Sequence, residues 1–393
     1  MKVLVLGTGK MGYGLMKDLV AQKEVDEIIA ADANIEAAKA VISKVDSEKI
    51  KGVEKIDVTE KRAAVKLFKG FDVIAAAIPR QFCDQAIAAT IEAGVNWADI
   101  AANFGTIFSQ HEAAKRAGVT VVPHIGLDVG TDRVLLGVGS RKLDKVEKLY
   151  VACGGFPQKG TEGYYNPINY KISWYWPFAV AGSLGSCKIL RNGKNVDVKV
   201  LSDPTPIEFP EPLGKLEAFT NSDLMDTVEH LGLKGVKDAY GQTIRWPGHC
   251  EMWMKLKDLH LMDEELVKVK GVEIKPLDFW VALGDRWLQY GPDEGDAICQ
   301  RVIVSGKKDG EPASYTFEFM DFGDKKADLS AMARTTAFPC SIVAQMIAKG
   351  QMKTPGVIHP AKIGYDGKLT EIFFKEMAKR QIKITEIFSS PLN

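Results

Sequence analysis

The chain has 393 residues, of which 46% are hydrophobic and 26% charged, a globular composition that excludes disordered, collagenous and low-complexity classes. Basic and acidic residues both number 51, so the formal net charge is zero and no basic footprint favours nucleic acid or an anionic membrane. No apolar run reaches the roughly 18 residues of a membrane span, the N-terminus lacks a signal-peptide pattern, and the six cysteines are scattered. We therefore expect a cytoplasmic protein with reduced thiols.

The first 125 residues alternate strand and helix signals. Helical patterns lie at about 11–20, 35–43, 60–69 and 80–93. Before, between and after these helical patterns, short apolar runs predict strands that are buried on both faces, at 1–6, 27–31, 52–58, 71–78, 95–100 and 119–123. This alternation predicts a doubly wound parallel sheet of the Rossmann type.

The pattern changes near residue 126, where Gly, Pro and aromatic residues become dense. Alternating stretches at 298–306 and 313–321 flank Asp309-Gly310 and predict a hairpin in a largely antiparallel α+β region. From residue 330 the chain is helical again, with a strong period over 337–349. We expect a dinucleotide-binding domain at 1–125, an α+β domain at 126–329 and a C-terminal segment at 330–393.

A glycine-rich motif, Gly7-Thr8-Gly9-Lys10-Met11-Gly12, follows the first strand and opens a helix. In such a motif the first glycine makes a tight turn, the second lets the backbone approach a pyrophosphate, and the third lets the helix pack closely on the strand. The N–H groups at the helix start then face the phosphates. Glycines that serve only a tight turn are the alternative, but the strand, helix and a downstream acid in the expected order favour a dinucleotide site.

That acid is Asp32, which follows the second strand and is placed to bind the adenosine ribose hydroxyls. Its charge would repel a 2′-phosphate and residues 33–36 contain no Lys or Arg, so we predict NAD, with NADP less favoured. Asp57 is a candidate adenine contact or a solvated loop acid. The end of the fourth strand is expected to line the nicotinamide crevice with Ala76, Ala77 and Ile78.

Hydride transfer at an amine also requires a group that takes or gives a proton. Asp128 lies between two glycines at the expected domain junction, where ligand sites tend to form. Its alternative role is to cap the helix beginning near Thr131, for which Asp132 is the better candidate. Arg245 is placed beside a turn to bind a carboxylate or to form a structural ion pair. His249 is a candidate acid/base or a structural histidine.

Other candidates carry weaker signals. Trp174 and its aromatic neighbours are expected to wall an aliphatic substrate chain or to pack in a core. Cys153, before Gly154 and Gly155, is either a reactive thiol or a small buried side chain. We predict no metal site, because His249-Cys250-Glu251 is the only local cluster of ligand types and no H-x-x-x-H or H-E-x-x-H occurs.

Several segments together resemble the saccharopine dehydrogenase family, which includes glutamate-forming saccharopine reductases and lysine 6-dehydrogenases. The segments are Gly126-Leu-Asp-Val-Gly-Thr-Asp132, Cys153-Gly-Gly-Phe-Pro157, Thr243-Ile-Arg-Trp-Pro-Gly-His249 and Ser330-Ala-Met-Ala-Arg-Thr-Thr-Ala-Phe-Pro339. The resemblance implies that the C-terminal segment returns to the Rossmann domain and that the middle region binds substrate and forms a homodimer. It also implies chemistry at a C–N bond, in which hydride leaves the carbon bearing a lysine ε-nitrogen and the imine is hydrolysed.

The resemblance leaves the amine open. Asp128 and the stretch ending at Trp174 look like saccharopine reductases, whose matching Asp and Trp lie at the substrate, whereas Asp32 and the helix ending at Gly350 look like lysine 6-dehydrogenases. The loop Ala101-Ala-Asn103-Phe104 replaces a Ser-Tyr-containing loop of the reductases. A lysine-type amine is our prediction. The alternatives are an imine reductase that joins an amino acid to a polyamine precursor, and an NAD-binding scaffold without activity. The residues expected to contact substrate are Asn103, Phe104, Cys153, Gly154, Gly155, Trp174 and Arg245.

Overall fold

We describe the fold from a computed structural model, over residues 1–391. The strands are β1 (Lys2–Leu6), β2 (Glu27–Asp32), β3 (Ile50–Lys55), β4 (Val73–Ala76), β5 (Asn96–Asp99), β6 (Thr120–Val122), β7 (Lys145–Pro157), β8 (Ser186–Arg191), β9 (Lys194–Lys199), β10 (Thr205–Phe209), β11 (Gly214–Asp223), β12 (Asp238–Arg245), β13 (Val267–Val269), β14 (Val272–Ile274), β15 (Asp296–Lys308), β16 (Glu311–Phe322), β17 (Gly356–Val357) and β18 (Thr385–Ser389).

The helices are α1 (Lys10–Ala21), α2 (Ile35–Val45), α3 (Lys61–Phe68), α4 (Arg80–Ala93), α5 (Phe104–Ile107), α6 (His111–Arg116), α7 (Thr131–Arg141), α8 (Glu162–Tyr165), α9 (Trp176–Ala181), α10 (Met225–Leu231), α11 (His249–Asp258), α12 (Pro276–Trp287), α13 (Ala331–Ala348), α14 (Pro360–Tyr365) and α15 (Gly367–Lys379). The chain divides into two compact units, the first made of 1–142, 229–232 and 333–383, and the second of 143–228, 233–332 and 384–391.

The first unit is built on a seven-stranded sheet in the order β17-β6-β5-β4-β1-β2-β3. Every neighbouring pair is parallel. The apolar runs of β1 and β4 are buried because helices cover both faces of such a sheet. The predicted Rossmann architecture is confirmed, and the C-terminal segment supplies β17 at one edge.

The C-terminal helices of this unit pack directly on the dinucleotide helix α1. A Cβ on Gly14 would lie 2.9 Å from the Cβ of Ala337, so only glycine allows α13 to approach α1 this closely. Asp18 of α1 accepts hydrogen bonds from Ser341 Oγ (2.6 Å) and from Nε (2.6 Å) and Nη2 (3.0 Å) of Arg380. This buried bidentate pair joins α1 to the segment that follows residue 333.

The second unit is built on a mixed sheet whose main path is β10-β11-β12-β7-β15-β16-β18. The predicted hairpin is confirmed, with β15 and β16 paired on either side of Asp309 and Gly310. The central strand β7 runs antiparallel to β15 but parallel to β12, so the predicted antiparallel character has one exception. The terminal strand β18 pairs with β16.

Two further observations concern the described part of the chain. Within residues 1–391, no helix combines the length and apolar character that crossing a bilayer requires. In the same residues, no three His, Cys, Asp or Glu side chains converge in a way that would hold a metal ion.

Candidate active site

The glycine loop between β1 and α1 is shaped for close approach by a ligand. Gly7 has φ +89°, and a Cβ there would lie 2.5 Å from the carbonyl oxygen of Ala77. A Cβ on Gly12 would lie 2.0 Å from the carbonyl oxygen of Gly7, whereas one on Gly9 would meet nothing within 4 Å. The first and third glycines are thus required by the fold, and the middle one faces open space. The loop fits a pyrophosphate, because α1 begins at Lys10 with no side-chain cap on its N–H groups.

Asp32, at the end of β2, is hydrogen-bonded to the glycine loop. Its Oδ2 accepts from the backbone N–H (2.7 Å) and the hydroxyl (2.8 Å) of Thr8, and its Oδ1 accepts from the N–H of Asn34 (2.9 Å). The carboxylate therefore stands beside the phosphate loop, where an adenosine ribose would lie in this fold.

The other predicted cofactor residues divide into two groups. Ala76 ends β4, and Ala77 and Ile78 follow it against Gly7, so these three residues line the edge of the sheet next to the glycine loop. Asp57 is exposed and accepts hydrogen bonds from the N–H (2.9 Å) and hydroxyl (2.7 Å) of Thr59, which lower the pKa of its carboxyl. These bonds are those of a loop acid that orders a turn, and an adenine contact remains a prediction.

Asp128 lies just before α7 and is exposed. Asp132, in the first turn of α7, is fully buried, accepts from the N–H groups of Gly130 and Arg133 (both 2.7 Å), and forms an ion pair with the Arg133 guanidinium. The N-cap residue of this helix is Gly130, and both roles predicted for Asp128 stay predictions. Its carboxylate lies at the C-terminal side of the parallel sheet, where ligands bind in this architecture.

Arg245 ends β12 in the second unit, and the Nε–H of its guanidinium group is a buried hydrogen-bond donor. Its Nη1 donates to the carbonyl of Ile244 (2.8 Å), and its guanidinium lies over the ring of Tyr170, 5.1 Å from the centroid. The Nε–H is buried and has no hydrogen-bond partner. No carboxylate among residues 1–391 pairs with this guanidinium, so the alternative of a structural ion pair is disfavoured.

Three buried hydroxyl groups near Arg245 resemble its Nε–H in lacking a hydrogen-bond partner within the described part of the chain. Among residues 1–391, the hydroxyls of Tyr170, Ser173 and Tyr290 have no partner at hydrogen-bond geometry. Tyr170 is close to Arg245 and Ser173, and Tyr290 is close to Tyr170, Asp296 and Arg245. Burial raises the pKa of both phenols, so they stay protonated and can donate. Leaving buried donors unpaired costs about 1–3 kcal/mol each, and an anionic ligand that accepts from several of them would remove that cost.

The Cys153-Gly154-Gly155 segment packs beside the strand that carries Arg245. Cys153 is buried on β7 and pairs in register with Thr243 of β12. A Cβ on Gly154 would lie 2.2 Å from the carbonyl oxygen of Ile244, and one on Gly155 would lie 2.6 Å from Cε of Met332. Gly154 is therefore required by the close approach of the β12 backbone, whereas a side chain at Gly155 would have to displace the flexible ends of Met332 and Ile298.

Two other predicted residues of this unit have contrasting surroundings. His249 is 2% exposed, and its Nδ1 lies 2.8 Å from the carbonyl oxygen of Ile168, which requires an N–H at that nitrogen. Burial, with a smaller effect of the Arg245 charge, lowers the pKa of His249 to about 3. This neutral imidazole fits the structural alternative rather than acid/base chemistry. Trp174 is half-buried, and its ring centroid lies 5.8 Å from that of Phe178. Its predicted contact with an aliphatic substrate chain stays a prediction.

Asn103 and Phe104 begin the short helix α5 in the first unit. Asn103 caps it, with Oδ1 accepting from the N–H of Gly105 (3.1 Å). Phe104 is half-buried, and its ring centroid lies 5.4 Å from that of His124. The structure thus groups the predicted cofactor residues and the Asn103 and Asp128 loops within the first unit, and groups Cys153, Arg245 and His249 within the second.

Sequence reasoning missed four polar residues of these sites: Tyr170, Ser173, Tyr290 and Asp99. Tyr170 and Ser173 lie in the aromatic segment that precedes Trp174, and that dense polar and aromatic composition was the available signal. Tyr290 carried no local signal. Asp99 is an acid at the C-terminal end of a predicted strand, which is the position where a doubly wound sheet places functional groups.

Two family models match the chain. "Saccharopine dehydrogenase NADP binding domain" matches residues 3–122, and "Saccharopine dehydrogenase C-terminal domain" matches residues 126–382. The chain belongs to the saccharopine dehydrogenase family. This membership confirms the predicted resemblance.

Relatives of this family member align over nearly the whole chain. Saccharopine dehydrogenase [NADP(+), L-glutamate-forming] of Schizosaccharomyces pombe is 22% identical, over 98% of this chain and 99% of its own length. Mitochondrial alpha-aminoadipic semialdehyde synthase of Rattus norvegicus is 23% identical over 91% of the chain but 45% of its own length, so the chain spans about half of that relative. The solved apo saccharopine dehydrogenase (L-Glu forming) of Saccharomyces cerevisiae shares the fold, with a TM-score of 0.82 at 21% identity over 99% of both chains.

Proposed function

We propose that this saccharopine dehydrogenase family member is an NAD-preferring oxidoreductase that acts on the C–N bond of a lysine-type amine, with saccharopine as its substrate. The observation that carries the proposal is the buried Nε–H of Arg245, which has no acceptor and lies among unpartnered hydroxyls. A substrate carboxylate supplies the acceptor that these groups lack. Lysine and saccharopine both carry such a carboxylate, and the names of the relatives favour saccharopine.

The chemistry assigned to this chain is oxidation of the amine followed by hydrolysis. The carbon beside the nitrogen loses hydride and the nitrogen loses a proton, which leaves a C=N bond. Water adds to that carbon, the C–N bond breaks, and an amine and a carbonyl product separate. A bound nicotinamide supplies the hydride acceptor.

The residues of the chain bind and orient the substrate. Arg245 binds a carboxylate, and the Tyr170 and Tyr290 hydroxyls donate to the same anion. Asp128, in the first unit, stays a candidate from the sequence for holding an amine through its charge or accepting its proton. His249 is left out of proton transfer in this proposal, because its Nδ1–H is committed to a backbone carbonyl and its pKa is lowered to about 3.

The matching family model and the fission-yeast relative carry NADP in their names, whereas the acid at the end of β2 in this chain favours NAD. Asp32 supports NAD, because a carboxylate already bonded to Thr8 and Asn34 would face a 2′-phosphate with like charge. Residues 33–36 also provide no cation to offset that repulsion.

We also propose a homodimer formed through the second unit. Its small sheet β13-β14 has three-residue strands, and an isolated hairpin of this size is marginal in water. Val267, Val269 and Val272 of this hairpin and Trp287 of α12 are nonetheless exposed. Sedimentation velocity of the full chain at micromolar concentration is expected to give a dimer, and a monomer would contradict this part of the proposal.

The deciding experiment follows formation of reduced nicotinamide with saccharopine and with lysine, each with NAD and with NADP, and identifies the products. Turnover of saccharopine that is faster with NAD is expected. Turnover of lysine alone would reassign the chain to lysine 6-dehydrogenase chemistry. Cofactor binding without turnover of either amine would contradict the proposal and favour an enzyme for another amine or a non-catalytic scaffold.

A further inference from the structure

One buried carboxylate of the first unit collects donors from two loops. Asp99, which ends β5, is 0% exposed. Its Oδ1 accepts from the backbone N–H groups of Ala101 (2.7 Å), Ala102 (2.6 Å) and His124 (3.2 Å), and its Oδ2 accepts from the Nε1–H of Trp97 (2.7 Å). All four donors are neutral, and burial raises the pKa of this carboxyl. A single side chain therefore fixes two backbone segments more than twenty residues apart.

These two segments lead into predicted substrate residues. The first runs from Ala101 to Asn103, the cap of the helix that begins at Phe104. The second runs from His124 toward Asp128. Other bonds reinforce the arrangement, since the backbone carbonyl of Asp99 accepts from the N–H of Ile125 (2.6 Å) and the carbonyl of Ala101 accepts from Nε of Arg80 (3.1 Å).

A buried acid is costly unless its hydrogen bonds offset the loss of hydration. The first unit contains two other buried carboxylates: Asp18 is tied to Arg380 and Ser341 and joins helices rather than loops, and Asp132 is paired with Arg133 in the first turn of α7. Asp99 differs because none of its four donors is a cation and three of them are loop backbone groups. Its bonds fix where the two loops lie relative to each other at the C-terminal edge of the sheet, where ligands bind in this architecture.

We propose that Asp99 is a positioning residue for the amine substrate, acting by holding the Asn103 loop and the Asp128 loop in fixed relation. The inference rests on the proposed function for the identity of the amine. It assigns Asp99 no contact with the reacting atoms.

The test is the variant Asp99→Asn in the full chain. An amide oxygen can replace Oδ1 toward Ala101, Ala102 and His124, but the amide NH₂ then faces the Trp97 N–H, so that two donors oppose each other. We expect KM for saccharopine to rise about tenfold or more, which corresponds to one lost hydrogen bond of ordinary strength. The cofactor dissociation constant, measured by NADH fluorescence, is expected to stay within about threefold, because the glycine loop is untouched.

The double variant Trp97→Phe, Asp99→Asn removes the opposing N–H. Relative to Trp97→Phe alone, the added Asp99→Asn change is expected to raise KM by less than it does in the wild-type background. Asp18→Asn is the matched control, since it perturbs an equally buried carboxylate of the same unit. Because Asp18 holds α1, we expect Asp18→Asn to lower the denaturation midpoint and to weaken cofactor binding, but to leave amide exchange at residues 101–106 and 124–128 unchanged.

Two results would overturn the inference. One is a wild-type KM in Asp99→Asn, and the other is equal effects of Asp99→Asn and Asp18→Asn on stability and KM. Amide hydrogen exchange decides the matter even if the wild type fails to oxidise saccharopine, an outcome that would count against the proposed function alone. Exchange at residues 101–106 and 124–128 is expected to accelerate in Asp99→Asn but not in Asp18→Asn, and unchanged exchange in both loops would contradict the inference.

Discussion

Replacing Arg245 with methionine provides the sharpest test of the proposed substrate site. Methionine keeps an unbranched side chain of similar length but removes the guanidinium. In the structure the Nε–H is buried without an acceptor, so the free protein loses no hydrogen bond at that atom. A bound carboxylate would lose a charge-assisted bond, which contributes about 1.5–3 kcal/mol.

That range converts to a measurable loss of activity. Since 1.4 kcal/mol is tenfold, kcat/KM for saccharopine is expected to fall about 10- to 150-fold in Arg245→Met. Arg245→Lys keeps the charge but loses the planar donor fork, so an intermediate loss is expected. The assay is the rate of reduced nicotinamide formation over a range of saccharopine concentrations at saturating cofactor.

Arg191→Met is the matched control for this experiment. Arg191 also belongs to the second unit and also lies over a tyrosine ring, 5.3 Å from the centroid of Tyr240. Both variants lose a cation–π contact and one further polar contact, which is the ion pair with Asp203 for Arg191 and the bond to the Ile244 carbonyl for Arg245, so similar denaturation midpoints are expected. Only Arg245→Met is expected to lose activity. A kcat/KM within twofold of wild type, or parallel losses in both variants, would refute the assignment of Arg245 to carboxylate binding.

Three other predictions follow from charged and titratable groups. Asp32→Asn removes the charge that opposes a 2′-phosphate, so the ratio of kcat/KM with NADP to that with NAD is expected to rise about tenfold or more, and an unchanged ratio would contradict the NAD proposal. The pKa of His249 is lowered from 6.5 to about 3 in the folded protein, so on acidification this histidine is protonated first in the unfolded chain. The free energy of unfolding is therefore expected to fall as the pH drops below about 6.5, with the unfolding equilibrium constant rising by up to about tenfold per pH unit. Urea denaturation at several pH values should show a weaker pH dependence of stability in His249→Gln than in the wild type. An equal dependence would show that another group takes up the proton on unfolding. Arg380→Met leaves the buried Asp18 carboxylate without its cation and is expected to cost about 3–5 kcal/mol of unfolding free energy, whereas a loss below about 1 kcal/mol would show that the pair contributes little.

The cofactor site could be predicted from sequence because its determinants are local. Gly7, Gly9 and Gly12 and the strand before them lie within one short segment, and Asp32 follows at the spacing that one strand-helix-strand unit imposes. The backbone of one supersecondary element fixes these positions. In the structure Gly7 and Gly12 are sterically required and Gly9 faces open space, and cofactor contact at these residues stays a prediction.

The residues of the proposed carboxylate site, and the buried Asp99, were harder to predict because their contacts form only through tertiary structure. Tyr290 lies 120 residues after Tyr170, and Asp99 receives an N–H from His124, which follows a different strand. No spacing rule connects such pairs. The sequence also could not decide the role of His249, because a histidine beside a turn looks the same whether its ring is exposed to substrate or bonded to Ile168 in a core.

The C-terminal segment also has a consequence for cofactor binding. The N-terminal end of α1 can face a pyrophosphate only if the helix axis is held in place, and the C-terminal segment contributes to holding it. Gly14 lets α13 pack against it, and Asp18 is bonded to Ser341 and Arg380, both supplied by residues beyond 333. Residues that follow the glycine motif by more than 300 positions in the sequence therefore help to hold the predicted dinucleotide site in place. It follows that the N-terminal 142 residues alone would lack the groups that fix α1, and that the first unit depends on both ends of the chain.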